Sequence, residues 1–145
     1  MDFQVKTFNQ LSAEQVYQIL RLRSEVFVVE QECAYQDIDD KDQKALHIFA
    51  ENESKIIAYA RAFDVGIYHE KASLGRFIIK ETHRGKNLGH KLVEASLQAV
   101  YQNYGKQKIH ISAQQHLTKF YEKHGFKTVG EGYLEDGIPH IGMEV

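Results

Sequence analysis

The stretch from Leu74 to Gly105 constrains this chain more than any other. Leu74–Ile79 is an apolar run of strand length, and Leu88, Leu92, Ala95 and Ala99 then recur at helical spacing. Val93, Leu97 and Val100 widen that helix's buried face, and Gly105 supplies a stop. Between strand and helix lies the turn Arg84-Gly85-Lys86-Asn87-Leu88-Gly89. A strand that feeds a long amphipathic helix through a tight turn is a building unit of layered α/β folds.

The rest of the chain extends this pattern. Phe3, Val5 and Phe8 predict a first strand, and Ser12-Ala13-Glu14-Gln15 reads as a capping box opening a helix with Val16, Ile19, Leu20 and Phe27 on one face. Residues 30–42 are polar and irregular, a loop or a broken helix. His47–Glu51 and Ile56–Phe63 predict two strands around the turn Asn52-Glu53-Ser54-Lys55. Ile109 and Ile111 mark another strand, a short helix comes next from about His116 to His124, and Val129 and Ile141–Val145 mark two closing strands. The order is strand, helix, three strands, helix, strand, helix, two strands. The expected fold is α/β, a mixed central sheet of six to seven strands flanked by about four helices. With 145 residues, a single proline (Pro139) and no repeat or linker, residues 1–145 read as one domain.

A formal net charge of −2 gives no global basic field, so neither nucleic acid nor an anionic membrane is an expected partner. The lone Cys33 excludes an intramolecular disulfide, and no apolar run approaches the roughly 20 residues that span a bilayer. Met1–Val5 lack the basic and apolar regions of a signal peptide, so the expected setting is cytoplasmic.

Chemistry begins at the turn. A helix N-terminus offers free amides and a positive dipole end to an anion, and Arg84 and Lys86 add charge beside it. By itself the turn reads equally as a plain connector. It is neither a Walker loop nor a Gly-x-Gly-x-x-Gly turn.

The segment resembles the acetyl-CoA motif of the GNAT superfamily, with Arg84 and Gly89 in register and Asn87 where that family usually has its first glycine. Asn tolerates the left-handed backbone such a position needs. Phe120-Tyr121-Glu122-Lys123-His124-Gly125-Phe126 resembles the Tyr-x-x-x-Gly-Phe ending of the same family. Arg23, Val26–Gln31, Gly75-Arg76, Ser112-Ala113-Gln114 and Tyr133–His140 extend the likeness, and the chain is identified as a member of the ElaA-like branch.

That resemblance implies an N-acetyltransferase with acetyl-CoA as co-substrate. It implies pyrophosphate binding by Arg84, Gly85, Lys86, Asn87, Leu88 and Gly89, and a thioester carbonyl polarised by backbone of Phe77, Ile78 and Ile79. Gln114 also falls on the cofactor side, and Tyr121 is the implied general acid, its alternative being a packed helix-face tyrosine. The implied acceptor is a small-molecule amine, such as a free amino acid or polyamine. A protein or peptide acceptor, or a non-catalytic acyl-CoA-binding module, are the other readings, and monomer and homodimer both stay open.

On the acceptor side the candidates are Glu30, His47, Glu135, Asp136 and His140. A histidine titrates near neutrality and can take a proton, and a carboxylate can hold an ammonium. Glu135 and His140 rank first as catalytic groups; Glu30, His47 and Asp136 rank as substrate-binding. Arg76 interrupts an apolar strand and reads either as a clamp for an acceptor carboxylate or as an ion pair with Glu30 or Glu135. Cys33 has no activating motif, which favours direct transfer over an acetyl-enzyme. Asp37–Asp42 fails the calcium-loop pattern at Lys41 and reads as a solvated acidic loop that could attract a cation. The histidines show no zinc spacing, so no metal is expected.

Overall fold

The structure is a computed structural model that describes residues 2–145. The strands are β1 (Gln4–Thr7), β2 (Leu46–Asn52), β3 (Lys55–Phe63), β4 (Ala72–Ile79), β5 (Ile109–Gln114), β6 (Lys127–Glu135) and β7 (Ile138–Glu144). The helices are α1 (Ala13–Arg23), α2 (Leu88–Tyr104) and α3 (Thr118–Glu122). The seven strands form one mixed sheet in the order β1-β2-β3-β4-β5-β7-β6. Among the described residues, only β4 and β5 pair in parallel.

Ser12 caps α1 as its sequence predicts: its Oγ accepts from the Gln15 amide at 3.0 Å, and the Gln15 side chain accepts from the Ser12 amide at 3.0 Å. About four helices were expected and three are present among the described residues. The difference lies in residues 30–42, the loop or broken helix of the sequence reading, where only a single short turn begins at Asp42, while Ser24–Glu30 continues α1 as a wider π-type turn.

One face of the sheet is apolar throughout. Ala72, Leu74, Ile109, Ile111, Ala113 and Met143 pack there against Leu92, Val93, Leu97 and Val100 of α2, with Tyr121 and Phe126. Each buried side chain of this size stabilises by about 2 kcal/mol. On the opposite face α1 covers only part of the sheet, packing Ile19, Leu22 and Val26 on Phe49, Tyr59 and Ile78. Along β5 the buried Ile109, Ile111 and Ala113 alternate with His110, Ser112 and Gln114, so those polar residues share that second face.

Two irregularities in β4 position the functional site. Tyr59 pairs with Ile78 but Arg61 pairs with Gly75, so Arg76 and Phe77 together oppose Ala60 in a bulge. Arg76 takes a left-handed φ of 54° there. β4 and β5 pair only at Ala72↔Ile109 and Ser73↔His110, after which they part.

Candidate active site

The parting of β4 and β5 opens a cavity of about 740 Å³ that reaches both faces of the sheet. Phe77, Ile78 and Ile79 line it from β4, Leu92 and Val93 from α2, and Tyr133 and His140 from the far strands. Backbone groups of β4 beyond Ser73 are released from pairing with β5, and buried unpaired backbone is costly unless something bonds to it.

At one mouth stands the turn before α2. Asn87 caps the helix at φ 61° and ψ 14°, the left-handed geometry expected where a glycine is customary, and its side chain makes no cap hydrogen bond. The first amides of this 17-residue helix are therefore not consumed by a cap. Gly85 and Gly89 line the cavity, Lys86 is exposed, and Leu88 is buried with Ile57 and Ala58, leaving only its backbone for a ligand. These features fit a pyrophosphate.

Arg84 sits differently from its expected role. Its Nε donates to the Ile79 carbonyl at 2.9 Å, and its two terminal nitrogens meet the two Glu30 oxygens at 2.9 and 3.1 Å. The guanidinium is matched in a fork, so it ties the turn to the Ser24–Glu30 helical segment, and Glu30 is occupied as its partner. Gln114 and Asp136 also line the cavity, and the Asp136 carbonyl accepts a weak bond from Cys33 Sγ at 3.7 Å.

The largest departure from expectation is the acidic loop. Asp37 and Asp42 are buried, so the loop is solvated only in part, at Ile38, Asp40 and Lys41. Arg23 donates to Asp37 at 2.8 Å and to Asp42 at 2.7 Å, and Arg61 donates to Asp42 at 2.9 Å and to Asp39 at 2.5 Å. Arg76 pairs with Asp37 at 2.8 Å, so it is an ion pair, with neither Glu30 nor Glu135 as partner. Three arginines and three aspartates thus neutralise one another between α1, the loop, β3 and β4. Burial pushes the Asp39 carboxyl up, but Arg61 outweighs it and holds the group at about 2.

His47 belongs to the same scaffold and leaves the set of acceptor-binding candidates. It is buried, does not line the cavity, and both its nitrogens are engaged. Nε2–H donates to the Asp42 carbonyl at 2.9 Å, which leaves Nδ1 to accept from the Tyr59 hydroxyl at 2.6 Å. Burial lowers its pKa and keeps it neutral.

Glu135 and His140 do come together. His140 Nδ1–H donates to the Ile138 carbonyl at 2.7 Å, so in the neutral ring the lone pair is on Nε2, which lies 3.3 Å from Glu135 Oε2. Two acceptors at that separation repel unless a proton lies between them. Ser112 Oγ bonds to the Tyr133 hydroxyl and donates to Glu135 Oε1 at 3.4 Å, and the Tyr133 and His140 rings stack at 6.2 Å. Glu135 remains half exposed.

Tyr121 lines the cavity from α3, wedged among Phe77, Phe120 and Phe126 at ring separations of 5.7, 5.1 and 5.8 Å. Burial alone pushes its phenol well above the ordinary range, so the resting group is protonated and has a proton to give. Among the described residues no group of three or more His, Cys, Asp or Glu is arranged to hold a metal ion.

The model of the acetyltransferase (GNAT) domain family matches residues 7–145. The chain belongs to the GNAT acetyltransferase family. Protein ElaA of Escherichia coli is 41% identical over 137 residues, covering 93% of this chain and 90% of ElaA. The crystal structure of that protein superposes with a TM-score of 0.93, covering 99% of both chains. An acyl-CoA N-acyltransferase from Pseudomonas aeruginosa is similar at 39% identity with a TM-score of 0.94, again covering 99% of both. The fold is shared by an aminoglycoside 6'-N-acetyltransferase complexed with coenzyme A, at 17% identity and a TM-score of 0.73 over 98% of this chain and 96% of that one.

Within this GNAT fold, Ser112 and Tyr133 line the cavity; both lie in segments that carry the family likeness, which gave neither of them a role. A signal existed: the polar alternation His110, Ser112, Gln114 puts three hydrogen-bonding side chains on the face opposite the α2 core. The contact of Tyr133 with Ser112 depends on the β5-β7-β6 strand order, which no local pattern gives.

Proposed function

We propose that this GNAT protein transfers an acetyl group from acetyl-CoA directly to a primary amine of a small molecule. The observation that carries the reading is a single cavity lined by the helix-capping turn, by Tyr121 and by the Glu135–His140 pair. Acetyl-CoA supplies the activated acyl group. The α2 amides and Lys86 hold its phosphates, and unpaired β4 backbone around Phe77, Ile78 and Ile79 orients the thioester.

The amine arrives as an ammonium and meets Glu135. Its proton passes to His140 Nε2, which converts the lone-pair clash with Glu135 into a hydrogen-bonded imidazolium–carboxylate pair. The neutral nitrogen forms the new C–N bond as the C–S bond breaks. Tyr121 gives its hydroxyl proton to the departing sulfur, and the second proton lost by the nitrogen restores it through solvent. Asp136 adds negative charge at the cavity wall, which favours a cationic acceptor, while Glu30 is neutralised by Arg84.

A protein acceptor is the weaker reading because the Cys33–Asp136 contact and the Arg84–Glu30 fork narrow the entrance. The free Cys33 suits a reducing cytoplasm. The test is CoA release from acetyl-CoA with a panel of amino acids, polyamines, aminoglycosides and peptides. Turnover on a small amine that collapses in Tyr121→Phe supports the proposal. Thermal stabilisation by acetyl-CoA with no turnover on any acceptor would convert it to a binding module.

A further inference from the structure

The cavity has a second polar end that the transfer chemistry does not use. Ser73 is 3% exposed and lines the cavity where β4 and β5 part, and its Oγ is the one buried side-chain nitrogen or oxygen among the described residues without a hydrogen-bond partner. Buried hydroxyls are normally bonded, so an unpartnered one at a cavity wall indicates a ligand group.

Two histidines frame it. His110 pairs with Ser73 across the last rung between the strands, and the His69 ring stacks on His110 with centroids 3.9 Å apart and planes 2° from parallel. His69 Nδ1 accepts from the Lys71 amide at 3.1 Å, which puts its proton on Nε2. Burial and the neighbouring His110 lower its pKa, so it is neutral. His110 Nδ1–H donates to Glu144 at 3.0 Å, and Glu144 also receives Lys71 Nζ at 2.8 Å.

The carboxylate here is therefore already satisfied by Lys71 and His110, unlike Glu135 at the other end. What is left over is the Ser73 hydroxyl, the His69 Nε2–H and the His110 Nε2. The two donors suit an oxygen acceptor, and the His110 Nε2 lone pair suits an N–H beside it, as in a carboxamide.

We propose that the Ser73 hydroxyl and the His69 Nε2–H donate to a carboxylate or carboxamide oxygen on the acceptor whose amine is held at Glu135–His140. This rests on the transferase reading above. His110 and Ser112 are two residues apart on one strand, about 7 Å, and Ser112 touches Glu135. The amine and the oxygen are thus separated by a chain, which favours ω-amino carboxylates over α-amino acids.

The test compares γ-aminobutyrate and its longer homologues, their carboxamides, and the alkylamines of equal length, by CoA release with wild type and Ser73→Ala. The wild type is expected to prefer the carboxylate or the carboxamide over the alkylamine, and the preferred member identifies the group. Ser73→Ala should shrink that preference about tenfold, the effect of one hydrogen bond to a charged group, with a Tm no lower than wild type. Equal use of alkylamine and carboxylate, or a preference unmoved by Ser73→Ala, would overturn the subsite. If no amine in the series releases CoA, the transferase reading fails separately. Calorimetric titration of the same carboxylates into the CoA-bound protein then decides the subsite, since heat that depends on Ser73 supports it and no such heat overturns it.

Discussion

Two charged clusters lie on the same side of the sheet, and they differ in how completely their groups are used. The Arg23–Arg61–Arg76 and Asp37–Asp39–Asp42 cluster is largely buried and every member has an opposite partner within about 3 Å. The Ser112–Tyr133–Glu135–His140 cluster is half open, and its His–Glu contact at 3.3 Å lacks a proton in the neutral ring. A closed, balanced network has no capacity to receive a ligand and serves as scaffold. An open network that lines the cavity has groups free to meet a substrate amine.

Substitutions that invert this assignment would break it. The largest expected effect is on stability. Asp42→Ala removes the carboxylate between Arg23 and Arg61 and leaves two buried guanidinium groups under-compensated. A loss of about 3–5 kcal/mol in urea unfolding is expected, with catalysis falling only as the fold is lost.

Next comes Tyr121→Phe, expected to lower kcat about 100-fold, some 2.7 kcal/mol, with little change in Tm because the ring contacts to Phe77, Phe120 and Phe126 are kept. Since burial raises the Tyr121 phenol, kcat in the wild type should not fall on the alkaline side through loss of this proton up to about pH 10.

Acid should weaken the scaffold cluster in a defined window. Asp39 has its folded pKa depressed to about 2, so its stabilisation is full above the unfolded value of about 4 and is lost as pH falls through the folded one. Stability measured by thermal melts should drop by about 2 kcal/mol from this group between about pH 4 and pH 2, and Asp39→Asn should flatten that part of the curve. The smallest effect belongs to Arg84→Ala. With its charge matched by Glu30 at a partly exposed site, the change should cost under about 1 kcal/mol in stability and raise the acetyl-CoA KM only a few-fold. A rise of about fifty-fold would restore Arg84 as a principal phosphate ligand.

Much of the fold was legible because its signals are local. The capping box at Ser12, the helix face of α2, the Asn87 cap and the alternation along β5 each arise from residues a few positions apart. The cofactor side was legible for the same reason, as a turn placed between a strand and a helix. On the acceptor side the Glu135–His140 pair was legible, being close in sequence, and the rest was not, because its meaning lies in partners far apart in sequence. Arg76 in a strand gives no hint of Asp37, 39 positions away, and an acidic run gives no hint that Arg23 and Arg61 will bury it. Ser73 was invisible for the opposite reason: what matters is that its hydroxyl has no partner, and that emerges only when β4 and β5 diverge.

The most direct test of the central claim is the kcat/KM for the amine of Glu135→Gln, with a thermal melt and the acetyl-CoA KM alongside. Glu135 is half exposed, so the fold should tolerate the change. The expected result is a fall of about 100-fold for the amine, with Tm within a few degrees of wild type and the acetyl-CoA KM unchanged. Wild-type turnover in Glu135→Gln, or a loss that merely tracks unfolding, would contradict the assignment of the open cluster to chemistry.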